Sequence, residues 1–200
     1  MIPGFRFADL NNANRLAEMD FHFSLPADSA SAVEIALAAA ADSDSMFSSY
    51  FEQLAQTWKS EYGRDITGIM TGSIDVLFRA TVDERFKYYV VDYKSNKLNG
   101  SGNVVHHHAY EFDSMKNAME KNHYPLQALF YCVALHRFMT HRIPDYDIDR
   151  DLGGAGYLFV RGMVGVDTPV VDGVRNGVLA WRPSTQTILA VDAILGGVVS

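Results

Sequence analysis

Two strand-like runs separated by a short polar turn constrain the fold of this chain more than any other feature. The first run begins at Gly72, the second ends at Lys94, and Asp83-Glu84-Arg85 separates them. Both runs are rich in β-branched and aromatic residues, which favour extended backbone, and a polar turn between two such runs is typical of a β-hairpin. The sequence therefore predicts an antiparallel hairpin over this region.

Three charged side chains mark the ends of the two runs. Asp75 ends the segment Gly-Ser-Ile-Asp, whereas Asp92 and Lys94 belong to the segment Asp-Tyr-Lys. Successive side chains of a strand point to opposite faces, so Asp92 and Lys94 share a face and Tyr93 points away. Mg²⁺ prefers carboxylate oxygens, and a bound divalent ion assists phosphodiester hydrolysis by lowering the pKa of its water. The pattern predicts a metal-dependent phosphodiesterase site.

In this site Asp75 and Asp92 bind the ion, and the ammonium of Lys94 stabilises the attacking hydroxide or the charge on the phosphate. The alternative is a hairpin whose acids face water and whose lysine lies on an exposed edge, because such a triple of residues also occurs by chance.

A helix is predicted to begin at Tyr124-Pro125 and to continue to about Met139. Proline suits the first turn of a helix. Gln127 and Tyr131 are four residues apart, so they present an amide and a phenol side by side on one helix face. Beside a metal site such a pair can orient a DNA phosphate without carrying charge. The alternative is an ordinary pair at the boundary of an amphipathic helix.

Taken in order, these motifs resemble the RecB-type nuclease superfamily. Gly-Ser-Ile-Asp, Asp-Tyr-Lys-Ser-Asn and Gln-x-x-x-Tyr match, and the likeness continues through Ala134–Arg137, His141–Asp147 and Gly156–Gly162. The chain resembles most the C-terminal nuclease domain of RecB subunits, from about Glu18 to Gly197. The resemblance implies an α/β, restriction-endonuclease-like (PD-(D/E)xK) fold with a mixed central sheet flanked by helices.

The resemblance also implies the ligands of the metal ion. Asp75, Asp92 and the backbone carbonyl of Tyr93 would bind Mg²⁺, for which Mn²⁺ or Ca²⁺ can substitute in binding, and Lys94 would be the catalytic lysine. Glu18, at the start of a predicted strand, matches an acidic position that family members place near the metal.

A path for DNA and a set of partners follow from the same resemblance. Gln127 and Tyr131 would line the DNA path. The implied activity is that of an exodeoxyribonuclease V type nuclease, acting in the cytoplasm in double-strand break repair and homologous recombination. The implied partners are DNA, the helicase part of a parent chain, and RecC- and RecD-like subunits. Two alternatives stay open: an inactive nuclease-fold module for subunit docking or strand guiding, and a stand-alone exonuclease of the same superfamily.

One feature departs from the family. RecB-type nucleases carry a metal-binding histidine on a helix upstream of the first strand, but the residues before Glu18 contain no histidine. Met1 with Ile2-Pro3-Gly4 is interpreted as an internal cut. Residues 1–200 are therefore expected to form a single nuclease domain excised from a larger helicase-nuclease chain. An incomplete ligand set weakens metal affinity, so the isolated fragment can be inactive.

Net charge limits how this chain can bind DNA. The formal charge is −7 at pH 7, and affinity for DNA comes largely from neutralisation of phosphates by Lys and Arg. The chain therefore needs local positive charge at the site. The candidate cations are Arg137, Arg142, Lys97, Lys116 and Lys121.

Other features exclude several classes of protein. The composition, 48% hydrophobic and 20% charged over 200 residues, predicts one globular core. A single cysteine, Cys132, excludes an internal disulfide and is expected in the core. No apolar segment has the length needed for export or membrane insertion. The cluster His106–His108 is expected on a surface loop, because adjacent side chains point in different directions.

The remaining predicted elements complete an α/β layer arrangement. They are a strand Glu18–Leu25, a helix from about Ala30 capped by Asp28 or Ser29, a helix Ser45–Tyr62, a helix from about Asp113, a strand Gly156–Arg161, a Gly-rich loop over 162–177, and a helix capped by Ser184 that ends near Ile194.

Overall fold

The computed structural model describes residues 9–61, 65–98 and 106–196, except for the side chains at positions 24–30, 61, 65–67 and 107. The predicted internal cut at residues 1–4 and most of the loop before His106 lie outside the described residues. Within the described ranges, the helices and strands are β1 (Arg15–Ser31), α1 (Ala32–Ala40), α2 (Ser48–Glu61), β2 (Asp65–Val82), β3 (Arg85–Lys94), α3 (Phe112–Lys121), α4 (Tyr124–Arg142), α5 (Ile148–Asp151), β4 (Leu152–Phe159), β5 (Val170–Val171), β6 (Val174–Arg175), β7 (Val178–Trp181) and α6 (Thr185–Ile194).

The main sheet has five strands in the order β1-β2-β3-β4-β7. β3 and β4 are parallel, and the other neighbours are antiparallel. A parallel pair needs a crossover connection, which α3 and α4 supply here. The predicted α/β fold with a mixed central sheet flanked by helices is confirmed, and it is compatible with a restriction-endonuclease-like core. The parallel pairing brings the carboxyl ends of β3 and β4 to the same edge of the sheet.

The predicted hairpin is formed by β2 and β3. Its register runs from Val82 opposite Arg85 to Val76 opposite Val91. The two turn residues, Asp83 and Glu84, have φ angles of 49° and 64°, which is the left-handed backbone of a two-residue hairpin turn whose twist matches that of the strands. The turn lies at one end of the hairpin, and the acids of the candidate site lie at the other.

The two faces of the sheet bury different cores. Leu77 and Val90 belong to a large cluster that includes residues of the helices, whereas Phe78 and Val91 belong to a small cluster with Leu158. The strand alternation therefore sends every second side chain of β3 toward the helices. Asp92 and Lys94 follow Val90 on that face.

Helix α4 lies deepest in the large core. Nine of its residues are buried, among them Leu129 and Cys132, both fully. Cys132 thus packs in the core as predicted, and burial raises the pKa of its thiol. Helix α4 also carries Gln127 and Tyr131, so the packing that buries its apolar side chains fixes these two polar ones against the sheet.

Several element boundaries differ from the prediction. β1 pairs with β2 as far as Ser31, so the backbone stays extended past Asp28 and Ser29, and α1 is capped by Ser31, whose Oγ accepts the N–H of Glu34 at 3.4 Å. β4 begins at Leu152, and the predicted strand end at Arg161 lies in a short 3₁₀ turn.

The last part of the chain follows the prediction more closely. The predicted Gly-rich loop contains the small hairpin of β5 and β6. Ser184 caps α6 as predicted, and its Oγ accepts the N–H of Thr187 at 3.2 Å. Among the described residues, no helix combines the length and apolar character that crossing a bilayer requires.

Replacement of Leu129 by Ala is expected to lower the free energy of unfolding by about 2–5 kcal/mol, because a fully buried side chain leaves a cavity in the core. The matched control is Leu189→Ala on α6, which is 44% exposed and is expected to change stability by less than about 1 kcal/mol. Urea denaturation of both variants measures the difference. Equal losses would contradict the assignment of α4 as the centre of the core.

Candidate metal and catalytic site

The candidate site lies at the carboxyl end of β3, under helix α4. Asp92 and Lys94 are 5% and 9% exposed, whereas Tyr93 between them is 47% exposed. This burial follows the predicted alternation, with the acid and the lysine on the helix-covered face. Two opposite charges, two residues apart on one strand, are therefore withdrawn from water, and each needs a polar partner.

Four side chains form a closed ring of polar contacts. Lys94 Nζ lies 2.7 Å from Asp92 Oδ2 and donates to Gln127 Oε1 at 3.0 Å. Gln127 Nε2 donates to the hydroxyl of Tyr131 at 2.9 Å, and that hydroxyl lies 3.1 Å from Asp92 Oδ1. The two helical residues predicted to sit beside the acid and the lysine are thus in direct contact with them.

Tyr131 also connects the helix to strand β2. Its hydroxyl lies 2.8 Å from the carbonyl oxygen of Ser73, so its single proton is donated either to that carbonyl or to Asp92. Burial, and then the negative charge of Asp92, raise the pKa of Tyr131. The phenol therefore stays protonated and acts as a donor across the physiological pH range.

Asp75 stands at the end of the hairpin beside this ring. The β2–β3 ladder ends where Val76 faces Val91, and Asp75 is the next residue of β2. Its Oδ2 accepts the backbone N–H of Tyr93 at 2.8 Å, in place of a further ladder bond. This contact holds the carboxylate of Asp75 at the strand end where Asp92 lies.

The carboxyl group of Asp92 is electrostatically unusual. Burial raises its pKa, contacts with Lys94 oppose that rise, and the negative charge of Asp75 adds to it. A buried acid beside a second acid is an environment in which a divalent cation compensates negative charge. The pKa shift is a physical reason to treat this position as functional.

The donor set suits a hard cation. Asp75 and Asp92 offer carboxylate oxygens, the ligand type that Mg²⁺ prefers. Among the described residues, no three His, Cys, Asp or Glu side chains are grouped so as to hold a metal ion. Mg²⁺ commonly uses one or two carboxylates and keeps several waters, so two carboxylates fit this ion. The carbonyl of Tyr93 stays a predicted further ligand.

Glu18 lies across from Asp75 on the neighbouring strand. The residues on either side of Glu18, Ala17 and Met19, pair with Val76 and Ile74. Glu18 is exposed and has a φ of 55°, an uncommon backbone conformation for a residue without the freedom of glycine. The structure thus places the backbone of Glu18 beside that of Asp75, and the role of Glu18 near a metal ion stays a prediction.

Of the candidate DNA-binding cations, two form ion pairs within the protein and three are exposed. Arg137 is engaged elsewhere, because its guanidinium binds the carboxylate of Asp192 and donates to the carbonyl of Leu195 at 3.2 Å, which joins α4 to α6. Arg137 is therefore engaged within the fold, and its role as a DNA contact stays a prediction. Lys116 pairs with Glu120 at 2.6 Å. Arg142, Lys97 and Lys121 are exposed and stay predictions.

Sequence reasoning missed one cation at the site. Arg161 is exposed, and its Nε donates to the carbonyl of Ser95, the residue after Lys94, at 2.8 Å. The contact follows from the strand order. Lys94 pairs with Phe159 in the parallel register, so the residues after β3 lie beside the residues after β4. Sequence alone does not state that these two strands are neighbours.

The histidine cluster lies apart from this ring of contacts. The rings of His106 and His108 stack with their centroids 5.2 Å apart, and both side chains are exposed. The side chain of His107 lies outside the described residues. Stacked rings present faces to each other, not converging nitrogen atoms, so the arrangement is that of a surface turn.

Curated proteins with similar sequences are all RecB subunits of RecBCD enzymes. The chain is 38% identical over 191 residues to RecB of Mycobacterium tuberculosis, an alignment that covers 91% of this chain and 16% of that protein. It is 34% identical over 203 residues to RecB of Mycolicibacterium smegmatis, covering 98% of this chain and 18% of that protein. The match to RecB of Escherichia coli is 36% over 132 residues, 66% of this chain and 10% of that protein.

The chain thus spans less than a fifth of the length of these relatives. No protein-family model matches it. The comparison therefore identifies a segment shared with RecB subunits, and this agrees with the resemblance carried by the motifs around Asp75, Asp92 and Gln127.

Removal of the Tyr131 hydroxyl is expected to destabilise the protein. Tyr131→Phe leaves Asp92 and the carbonyl of Ser73 without this donor, so the free energy of unfolding should fall by about 1–3 kcal/mol. The matched control is Tyr93→Phe, since that ring is half exposed and the change should be close to neutral. Urea denaturation of the metal-free protein measures both. A neutral Tyr131→Phe would mean that the ring of contacts does not form.

Proposed function

We propose that this chain, a homologue of one segment of RecB subunits of RecBCD enzymes, is a divalent-metal-dependent DNA nuclease domain. The observation that carries the proposal is the cluster of Asp92, Lys94, Gln127 and Tyr131, closed by contacts of 2.7–3.1 Å, with Asp75 at the adjoining strand end. Carboxylates beside an ammonium and neutral donors suit phosphodiester hydrolysis.

The proposed ligands of Mg²⁺, or of Mn²⁺ or Ca²⁺ in its place, are Asp75, Asp92 and the carbonyl of Tyr93. When bound, the ion supplies a water of lowered pKa and neutralises charge on the phosphate. Lys94 stabilises the charge that develops on the attacked phosphate, because its ammonium is fixed beside Asp92. Gln127 orients that ammonium, and Tyr131 orients the carboxylate of Asp92 through a hydrogen bond from its hydroxyl.

The proposed DNA contact is local. With a net charge of −7, the chain cannot rely on overall attraction to phosphates, so cations at the rim of the site have to supply it. Arg161 is such a cation, because it is anchored through Nε to the residue after Lys94 and is exposed. The proposed partners that bring DNA to this rim are the helicase part of a parent chain and RecC- and RecD-like subunits, in double-strand break repair and recombination.

The full chain, with Mg²⁺ or Mn²⁺ added, is expected to cleave single-stranded DNA, and Asp92→Asn is expected to lower the rate at least about a hundredfold. Asp75→Asn and Lys94→Gln should have losses of similar size. The matched control is Asp83→Asn in the hairpin turn, which is separated from Asp92 by the strand residues from Arg85 onward, a length of about 23 Å. The measurement is release of labelled fragments in single-turnover assays.

Calorimetric titration of the same proteins with Mn²⁺ separates binding from catalysis. Binding by the wild-type chain and its loss in Asp92→Asn are expected. Metal binding without cleavage by the wild-type chain would favour the alternative of an inactive module that guides DNA or docks subunits. Cleavage by Asp92→Asn at the wild-type rate would remove the proposed site altogether.

Substitution of Arg161 is expected to weaken DNA binding. Arg161→Gln should raise the Kd for a single-stranded oligonucleotide several-fold and lower the salt dependence by about one ion equivalent. The matched control is the exposed Arg85→Gln at the turn end of β3, nine residues along the strand from Lys94 and about 30 Å from it. Fluorescence anisotropy at several salt concentrations, in Ca²⁺ to prevent cleavage, measures both. A Kd unchanged by Arg161→Gln would exclude Arg161 from the DNA path.

A further inference from the structure

The ammonium of Lys94 lies against the rings of two tyrosines. Its Nζ is 3.7 Å from the ring centroid of Tyr124 and 5.2 Å from that of Tyr157. The two rings stack with centroids 5.8 Å apart and an interplanar angle of 19°. A cation within about 6 Å of an aromatic ring is attracted by the negative face of the ring, most strongly where water is excluded. We call the two rings the aromatic box.

The aromatic box is held in place by hydrogen bonds from both tyrosines. The hydroxyl of Tyr157 donates its proton to the carbonyl of Tyr124 or to Oε1 of Gln127, each 3.1 Å away. The hydroxyl of Tyr124 donates to Oδ1 of Asn96 at 3.2 Å. Tyr157 is 1% exposed and pairs with Asp92 in the parallel register of β3 and β4. The box is therefore built from both neighbours of the site, strand β4 and helix α4.

The aromatic box completes the surroundings of the ammonium. Lys94 has three N–H donors. Asp92 and Gln127 accept two of them, at 2.7 and 3.0 Å, and the ring face of Tyr124 lies close enough to receive the third. The side chain of Lys94 is only 11% exposed. The rings therefore take the place of the water molecules that would hydrate an exposed ammonium.

We propose that Tyr124 and Tyr157 are positioning residues that hold the Lys94 ammonium at the reacting phosphate. The inference rests on the proposed function. Asp92 has two tasks in that function, since its carboxylate pairs with Lys94 and also binds the ion. The aromatic box is a second, uncharged holder of the ammonium, which keeps its place when the ion shares the carboxylate of Asp92.

The first test is nuclear magnetic resonance on the full chain, with neither metal nor DNA. The chain has six lysines, so ε-¹³C-labelled lysine gives six signals, and Lys94→Arg assigns one of them. The ε-methylene protons of Lys94 should be shielded by the ring of Tyr124 and lie upfield of the other five. Tyr124→Leu should abolish this shift and Tyr124→Phe should retain it. A Lys94 signal among the others in the wild type, or one unmoved by Tyr124→Leu, would overturn the proposal.

The second test is kinetic and uses the same variants. Tyr124→Leu should lower kcat for DNA cleavage about tenfold, with KM changed less than about twofold, because the ring acts on Lys94 and not on DNA. Tyr124→Phe should restore most of kcat, since Phe keeps the ring face and loses only the hydroxyl. A raised KM with unchanged kcat in a Tyr124→Leu protein that unfolds normally in urea would show a DNA-contact role and overturn the positioning role.

The two tests separate this inference from the proposed function. A wild-type chain that shows the shielded Lys94 signal but cleaves no DNA in Mg²⁺ or Mn²⁺ would overturn the nuclease proposal and support the placement of the ammonium by the rings. An active wild-type chain with an unshielded Lys94 signal would do the reverse.

Discussion

The buried ion pair of Asp92 and Lys94 is the constraint on which the site depends. The two groups are 2.7 Å apart and almost fully withdrawn from water, and buried charges are tolerated only when their remaining donors and acceptors are satisfied. Gln127 and Tyr131 satisfy them on the helix side, and the rings of Tyr124 and Tyr157 surround the ammonium. The polar contacts and the aromatic box thus both stabilise the buried pair of charges.

The sheet topology brings the residues that stabilise this pair of charges together. Because β3 and β4 are parallel, their carboxyl ends meet at one edge of the sheet, and α4 returns over that edge. Asp92 on β3 then faces Tyr157 on β4, and the residue after Lys94 meets Arg161. The chain has a net charge of −7, yet Lys94 and Arg161 place two cations at this edge beside Asp75 and Asp92.

Local pattern predicted much of this arrangement. The β2–β3 hairpin, the helix that begins at Tyr124-Pro125, the alternation of Asp92 and Lys94 against Tyr93, and the pairing of Gln127 with Tyr131 all depend on residues close in sequence. Interactions between distant residues were the source of error. The sequence did not indicate that Asp192, 55 residues away, binds Arg137, and the strand pairing of Ser31 with Asp65 places the start of α1 after its predicted cap.

The sequence alone determined the elements, the faces of each element and the residue types that suit metal-dependent chemistry, because strand and helix periodicity fix which side chains share a face. Tertiary structure alone decided which faces meet. The order of strands in the sheet placed Tyr157 beside Lys94 and Arg161 beside Ser95, and it placed Asp75 against the backbone of Tyr93. These are contacts between residues 18 to 66 positions apart, and no local pattern encodes them.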